Sequence, residues 1–161
     1  MWLIGAYIPP VTSPWQGWTD VEPFLQFWET VALCTRNEDK PIASLTDING
    51  RTGSVQVPRF QGAWPRISAD DKKPNTRGLA ILDECDTYGL CILNGTSFES
   101  ASPGRYTSWQ PNGQSTIDLA MVSTGLIPFV KSFHVECPTP DPEDDWADHT
   151  RICLTIRVPA T

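Results

Sequence analysis

Short apolar runs recur along the chain, and most of them end at Pro, Gly or Asn. Such runs, rich in β-branched and aromatic residues and bounded by turn residues, are typical of strands. The pattern predicts strands over residues 2–8, 41–49, 90–93, 105–109, 116–122, 132–137 and 152–158. The strands 105–109 and 116–122 flank a Pro111-Asn112-Gly113 turn, so we expect them to pair antiparallel.

Two stretches follow the helical period instead. Thr19 and Glu22 have the spacing of a capping box, and Pro23 fits a first helical turn. The apolar positions that follow form one stripe: Val21, Phe24, Leu25, Trp28, Val31 and Ala32. A second helix is expected from the caps Asn75 or Thr76 to Gly89, with Leu79, Leu82 and Cys85 on its apolar face. Two helices packed on more numerous strands predict a mixed α/β fold with a layered sheet.

Composition and charge narrow the possible classes. The 161 residues suit one domain with a real core, and no apolar run approaches the roughly 20 residues that cross a bilayer. Five scattered cysteines without a C-x-x-C pair predict free thiols and an intracellular location, nuclear or cytoplasmic. The net charge is −7, but basic residues concentrate in residues 51–77 and acidic ones in residues 141–148. Both stretches are also compatible with ordinary solvated loops.

The central chemical feature is the end of the strand at residues 41–49. Asn49 and Gly50 tolerate the positive φ of a tight turn, so we expect the strand to stop there. The two-residue period then places Asp47 and Asn49 on one face. A carboxylate beside a carboxamide can orient a water molecule next to a phosphate. The alternative is an Asx turn that merely closes the strand.

Other polar groups also lie at strand ends. Tyr7 precedes a Pro-Pro stop, and Asp148-His149 precedes the last strand. Asp118 lies in an otherwise apolar strand, where a buried carboxylate is costly without a partner. It therefore either faces solvent or has a hydrogen-bonding or cationic partner.

These motifs together resemble those of a known superfamily. Tyr7-Ile8-Pro9-Pro10, Asp47-x-Asn49 with Arg51-Thr52, Ser115-Thr-Ile-Asp118 and Asp148-His149 occur in the order and rough spacing of endonuclease/exonuclease/phosphatase domains. The segments Arg66-Ile-Ser-x-Asp70, Asn75-x-Arg77-Gly78, Leu90–Thr96 and Tyr106-Thr-Ser108 resemble the LINE-like and fungal retrotransposon endonucleases within it.

The resemblance implies metal-assisted phosphodiester hydrolysis, with Mg²⁺ as the ion and Mn²⁺ as the alternative. By position, Asp47 would activate the attacking water, and Asn49 would hold that water and a phosphate oxygen. His149 would contact the scissile phosphate, and Asp118 would orient its imidazole. Tyr7 would hydrogen-bond the phosphate or the leaving group.

Three further roles follow from the same resemblance. Asp148 would contact the metal, and Arg51 and Thr107 would contact the substrate, with Thr107 in a substrate-facing loop. The implied partner is DNA, and no membrane is implied. The chain departs from the family pattern at Thr46, where Gly is usual, and at Ala147, where Ser is usual.

A larger departure concerns the family's upstream metal-binding Glu and its early Asn, which have no counterpart in residues 1–161. The resemblance therefore implies a single partial domain, the C-terminal portion of the family fold, with little activity alone. It also implies that part of the sheet's inner face is left exposed, with Trp2, Leu3, Ile4 and residues 117–122 as the candidates. Whether the chain is an enzyme stays open. The alternatives are a non-catalytic remnant or interaction module, and a phosphatase for a phosphate monoester or lipid headgroup.

Overall fold

The computed structural model describes residues 1–14, 19–36, 40–136 and 148–157. Its strands are β1 (Trp2–Tyr7), β2 (Ile42–Asp47), β3 (Leu90–Ile92), β4 (Ser108–Gln110), β5 (Gly113–Ser115), β6 (Asp118–Ser123), β7 (Val130–Val135) and β8 (Ile152–Ile156). Its helices are α1 (Pro23–Thr35) and α2 (Thr76–Tyr88), with 3-10 turns at Pro58–Phe60 and Thr124–Phe129. The prediction of a mixed α/β layered sheet with two helices is confirmed.

The main sheet has the strand order β1-β2-β6-β3. β1 runs parallel to β2, and Tyr7 lies opposite Asp47. β6 runs antiparallel to β2, so its first residue, Asp118, also lies opposite Asp47. The ends of β1 and β2 and the start of β6 thus meet at the same end of the sheet, a region that we call the polar edge. The pairs β4-β5 and β7-β8 form separate two-stranded ribbons.

The expected hairpin of residues 105–109 with residues 116–122 is wrong. β4 pairs with the short β5 across the Asn-Gly turn, whereas β6 starts later and lies between β2 and β3. The reason is burial on both faces: Leu119, Ala120, Met121 and Val122 are all fully buried. A strand that is apolar on both faces needs a central position in the sheet, which a surface hairpin does not offer.

Helix α1 begins one residue after its cap. Glu22, and not Thr19, caps it, since a Glu22 carboxylate oxygen accepts from the Leu25 N–H at 2.7 Å. The buried face is formed by Phe27, Trp28 and Val31. Leu25, which was expected in the apolar stripe, is 58% exposed, and Val21 is 44% exposed. The predicted stripe was shifted because it was counted from Val21, which precedes the first helical turn.

Helix α2 has the predicted ends. The Asn75 side chain accepts from the Gly78 N–H, and Gly89 closes the helix with φ of 64°. The helix buries Ile81, Leu82 and Cys85 against the sheet, whereas Leu79 was wrongly placed on this face and is largely exposed.

The cover of the sheet also differs from the expectation. Trp2 and Leu3 on β1 are 36% and 69% exposed, as expected, but residues 119–122 of β6 are fully buried. Cys34, Cys85, Cys91 and Cys153 are free thiols, of which Cys153 is exposed. Cys137 and the acidic residues 141–147 lie outside the described residues. Within the described ranges, no helix has both the length and the apolar character of a membrane span.

Candidate active site

Three titratable side chains converge at the polar edge. The His149 imidazole lies with Nδ1 2.9 Å from Asp118 Oδ2 and with Nε2 3.8 Å from Asp47 Oδ2. One ligand-type atom from each residue falls within 4.8 Å of the others. Because β2 and β6 are antiparallel neighbours, their opposed ends bring the two carboxylates together, and the imidazole lies against both.

The segment that carries His149 is fixed by a short antiparallel pairing. Trp109 donates its N–H to the Asp148 carbonyl at 2.7 Å, and Thr150 donates to the Thr107 carbonyl at 2.8 Å. Ser108 lies directly opposite His149. The imidazole therefore has a fixed backbone position beside Asp118.

Asn49 lies where the turn prediction placed it. Its φ of 49° confirms the left-handed turn after β2. Its backbone N–H lies 3.3 Å from Asp47 Oδ1, which is the Asx-turn contact. Its side-chain Nδ2 donates to the Ile8 carbonyl at 3.0 Å and so joins the turn to the end of β1. The Asx turn and the polar cluster are thus present together. Tyr7, the last residue of β1, is 59% exposed at the same edge.

Thr107 takes a different place from the expected substrate-facing loop. Its side chain is fully buried, and its Oγ1 accepts the N–H groups of Ile117 and Asp118 at 3.1 and 3.0 Å. A buried hydroxyl that accepts two backbone donors positions the start of β6, and with it the Asp118 carboxylate.

Arg51 is held by a neighbouring carboxylate. Its Nε lies 3.0 Å from Asp70 Oδ2, and its side chain is 27% exposed. The same Asp70 oxygen accepts from the Thr116 N–H at 3.0 Å. Arg51 therefore links the turn after β2 to the approach to β6, and its side chain is still partly open to solvent.

Asp148 is exposed and stands beside the cluster of Asp47, Asp118 and His149. Its Oδ2 accepts from the Gln110 side chain at 2.7 Å. Its negative charge contributes to raising the pKa of Asp47 and of His149, so the carboxylate lies within electrostatic reach of both.

Burial and mutual charge interactions shift the pKa values of all three residues in the cluster. Burial, followed by the charge of Asp118, raises the pKa of Asp47 from 3.8 to about 6. Burial also raises the pKa of Asp118, although hydrogen bonds from Thr107 and His149 oppose this. Burial lowers the pKa of His149, but the charge and hydrogen bond of Asp118, together with Asp47, raise it overall. Near neutral pH the cluster therefore combines an ionisable carboxylate with an imidazole that readily holds a proton.

The donor set fits a hard divalent cation. Asp47 and Asp118 offer carboxylate oxygens, and the His149 imidazole lies against both with its Nδ1 on Asp118. Mg²⁺ uses one or two carboxylates and retains several waters, which suits an edge that is partly open to solvent. Such a centre would rest on Asp47 and Asp118, with Asp148 alongside.

Sequence reasoning missed one residue that supports this edge. Asn94 is 1% exposed, follows β3 and pairs with β6: its Nδ2 donates to the Asp118 carbonyl at 3.0 Å, and its Oδ1 accepts from the Ala120 N–H at 2.9 Å. It fixes β6 where β3 has already ended. The only signal in the sequence is an amide directly after an apolar strand, which also fits an ordinary turn.

Solved structures with a similar fold exist. The chain superposes on the endonuclease domain of TRAS1, a telomere-specific non-LTR retrotransposon, with a TM-score of 0.57 and 16% identity over 96% of this chain and 56% of that one. It superposes on the 3′-5′ exonuclease NExo of Neisseria meningitidis with a TM-score of 0.57 and 16% identity over 92% and 57%.

The chain shares their fold. A structure of NExo, described as a 3′ phosphatase bound to a product DNA hairpin, gives a TM-score of 0.53 at 17% identity over 86% and 56%. The chain therefore spans a little over half the length of these structures and shares their fold over that part. No protein-family model and no curated protein matches it.

Proposed function

We propose that the polar edge is the hydrolytic centre of a metal-dependent phosphodiesterase, and that its substrate is DNA. The observation that carries the proposal is the convergence of Asp47, Asp118 and His149 at one sheet edge, in a fold shared with nucleases. Carboxylates such as those of Asp47 and Asp118 hold hard cations in proteins, and a bound cation activates water. The activity, the substrate and the ion are proposals, since the neighbouring structures are longer than this chain.

We assign each side chain a role on the basis of the geometry of the site. Asp47, with a pKa near 6, is ionised at neutral pH and takes a proton from the attacking water. Asn49 donates one amide hydrogen to Ile8 and keeps the other for the water or a phosphate oxygen. His149 is held at Nδ1 by Asp118 and presents protonated Nε2 to the phosphate. Tyr7 donates its hydroxyl to the phosphate or the leaving group.

A bound Mg²⁺ or Mn²⁺ would polarise the phosphate and offset the charge that develops on it. Asp148 lies beside the cluster as a further oxygen donor for such an ion. The Arg51 side chain is 27% exposed next to the turn and is a candidate phosphate contact. We place the retrotransposon-type endonuclease first, because the TRAS1 domain is among the matched structures.

The test begins with metal binding to the purified chain, because that step does not depend on a complete active site. Mn²⁺ binding followed by electron paramagnetic resonance should be weak but saturable, and Asp118→Asn should abolish it. The matched control is Asp83→Asn, at an exposed carboxylate on α2. The proposed metal centre is refuted if the chain shows no saturable Mn²⁺ binding, or if Asp118→Asn binds Mn²⁺ as well as Asp83→Asn does.

Hydrolysis is tested in parallel on supercoiled plasmid with Mg²⁺. We expect slow nicking at most, lost in His149→Ala and retained in His134→Ala, whose imidazole hydrogen-bonds Ser100 instead. Rapid nicking that survives His149→Ala would refute the assigned roles.

A phosphomonoesterase is the second candidate, because one matched structure is described as a 3′ phosphatase. An oligonucleotide with a 3′-phosphate distinguishes the two. Release of phosphate from that end, without cleavage of the intact strand, would favour the phosphatase.

A further inference from the structure

Arg77 connects the two turns that carry most of the polar edge. It lies in the first turn of α2, and its Nη1 donates to the Pro9 carbonyl at 2.7 Å and contacts the Ile48 carbonyl at 3.4 Å. Pro9 follows Tyr7 and the end of β1, and Ile48 lies between Asp47 and Asn49. One guanidinium nitrogen therefore contacts the backbone of both turns.

We propose that Arg77 is a positioning residue, which holds the turn after β1 and the turn after β2 in a single arrangement and thereby sets Tyr7, Asp47 and Asn49. The proposal deepens the proposed function and rests on it for the chemical meaning of that arrangement. The contacts themselves are independent of any activity.

The first turn of α2 is built to lie close to the turn after β2. Asn75 Oδ1 accepts the Arg51 N–H at 3.2 Å and the Gly78 N–H at 2.8 Å, while the Arg51 carbonyl accepts the Asn75 N–H at 3.1 Å. A Cβ at Gly78 would lie 1.7 Å from the Arg51 carbonyl oxygen. Only glycine permits this approach, so the helix and the turn dock through their backbones.

Gly50 has a matching role beneath the arginine. A Cβ at this position would lie 2.4 Å from Ile81 Cδ1 and 3.0 Å from Arg77 Cγ. The aliphatic stem of Arg77 therefore lies across the turn in space that any other residue would fill. On its other side the Arg77 guanidinium lies 5.4 Å from the Phe24 ring of α1, which limits its conformational freedom.

The turn after β2 needs such external support. Asn49 has a positive φ, which non-glycine residues adopt at a cost and which the surrounding contacts must stabilise. Three described contacts join the end of β2 and its turn to the turn after β1: the Ile8 N–H bond to the Asp47 carbonyl, the Asn49 side-chain bond to the Ile8 carbonyl, and the Arg77 bridge. Removing Arg77 deletes the contact that also ties both turns to α2, and it leaves the buried Pro9 carbonyl without its donor.

The experiment measures amide hydrogen exchange by NMR in Arg77→Met and Arg77→Lys. The reporters are the N–H groups of Ile8, which bonds the Asp47 carbonyl, and Arg51, which bonds Asn75. In Arg77→Met we expect both to exchange about tenfold faster, the effect of losing roughly one charged hydrogen bond. Lysine keeps the charge and a donor, so it should recover part of the protection in both turns.

Two controls separate positioning from general destabilisation. Arg59→Met removes an exposed ion pair with Asp86 near the other end of α2 and should leave both reporters unchanged. Val31→Ala weakens the core and should accelerate all slowly exchanging amides together. If Arg77→Met reproduces the Val31→Ala pattern, or if Arg77→Lys recovers nothing, Arg77 is only a stabilising residue and the proposal fails.

A second measurement connects the arrangement to the chemistry. Mn²⁺ affinity should fall about tenfold in Arg77→Met and recover in part in Arg77→Lys, as is usual when a residue that supports metal ligands is lost. Loss of protection with unchanged Mn²⁺ affinity would mean that the turns move without moving Asp47, which contradicts the proposal. If the unsubstituted chain does not bind Mn²⁺, the proposed function fails, and the exchange pattern alone decides the positioning role.

Discussion

Replacing Asp47 by Asn should make the protein more stable at alkaline pH. Asn keeps the shape of the side chain and the oxygen that accepts from the Asn49 N–H, but it removes the negative charge. That charge is unfavourable in the folded state, because burial and the neighbouring Asp118 raise the pKa of Asp47 from 3.8 to about 6. The substitution therefore tests the electrostatics of the cluster with little change of packing.

The sign and size follow from proton linkage. Between about pH 4 and pH 6 the folded chain keeps the Asp47 proton while the unfolded chain releases it, so the free energy of unfolding falls as pH rises through this window. A rise from 3.8 to about 6 corresponds to about 3 kcal/mol, which is fully lost above pH 7. The side chain is 15% exposed and solvent screens part of the effect, so about 2–3 kcal/mol is the expected difference.

The neighbouring groups change stability in the same direction. The raised pKa of Asp118 makes its contribution fall as pH rises above its unfolded value. The raised pKa of His149 gives stability below its unfolded pKa of 6.5, which is lost as pH rises through the folded value. The contribution of this cluster should therefore make the unsubstituted protein more stable near pH 5 than near pH 8.

Urea unfolding followed by tryptophan fluorescence at pH 5, 6.5 and 8 measures the effect. Asp47→Asn should match the unsubstituted protein most closely at the lowest pH and exceed it by about 2–3 kcal/mol at pH 8, with the m-value unchanged. Asp83→Asn, at an exposed site, should follow the unsubstituted protein at every pH. Parallel pH profiles for Asp47→Asn and the unsubstituted protein would refute the assigned charge interactions.

Three shorter predictions concern the groups that support the site. Thr107→Val should cost about 1–3 kcal/mol in urea unfolding, because it leaves two buried N–H groups at the start of β6 unpaired, whereas Thr107→Ser should cost less. Arg66→Met should cost about 3 kcal/mol or more in the same assay, since this buried side chain donates to Thr52 and to the Asn94 carbonyl. Cys91, whose pKa burial raises to about 12, should not react with a thiol reagent at pH 8 in the folded chain, whereas the exposed Cys153 should.

The parts of the site that lie within one element were predictable. The turn at Asn49 could be predicted because few residues other than Gly and Asn accept positive φ, and the structure confirms that φ. The ends of α2 followed from Asn75 and Gly89 for a similarly local reason. The cost of a buried carboxylate left two possibilities for Asp118, exposure to solvent or a hydrogen-bonding or cationic partner, and the structure shows the second, with His149 as the partner.

The parts that depend on distant contacts were not predictable from local patterns. Nothing near Thr107 indicates that its hydroxyl accepts from residues 117 and 118, because that requires the chain to return after the β4-β5 ribbon. The role of Asp70 likewise depends on Arg51 and Thr116, which approach it from two separate segments. Judged from the local sequence, such residues look like ordinary loop residues. Their structural role becomes visible only from their contacts in the folded protein.

The outer edge of β1 gives a last prediction, which concerns association rather than chemistry. β1 is a terminal strand of the main sheet, and in the described part of the chain no strand pairs with its outer side. It is six residues long and contains no charge or proline, and Leu3 and Tyr7 are 69% and 59% exposed. Natural proteins usually protect such edges with charges, prolines or bulges, so an unprotected edge favours pairing with another strand.

Leu3→Lys places a charge on this edge and should weaken self-association. Covering one leucine side chain is worth about 1.5–3 kcal/mol, so the substitution should raise the dissociation constant by at least about tenfold. Sedimentation velocity over a concentration series measures this, with Leu25→Lys as the control because Leu25 is similarly exposed on α1. If the two variants associate alike, the edge of β1 is not the contact. If the native chain stays monomeric throughout the series, the unpaired edge does not drive association, and its exposed side chains are tolerated as they stand.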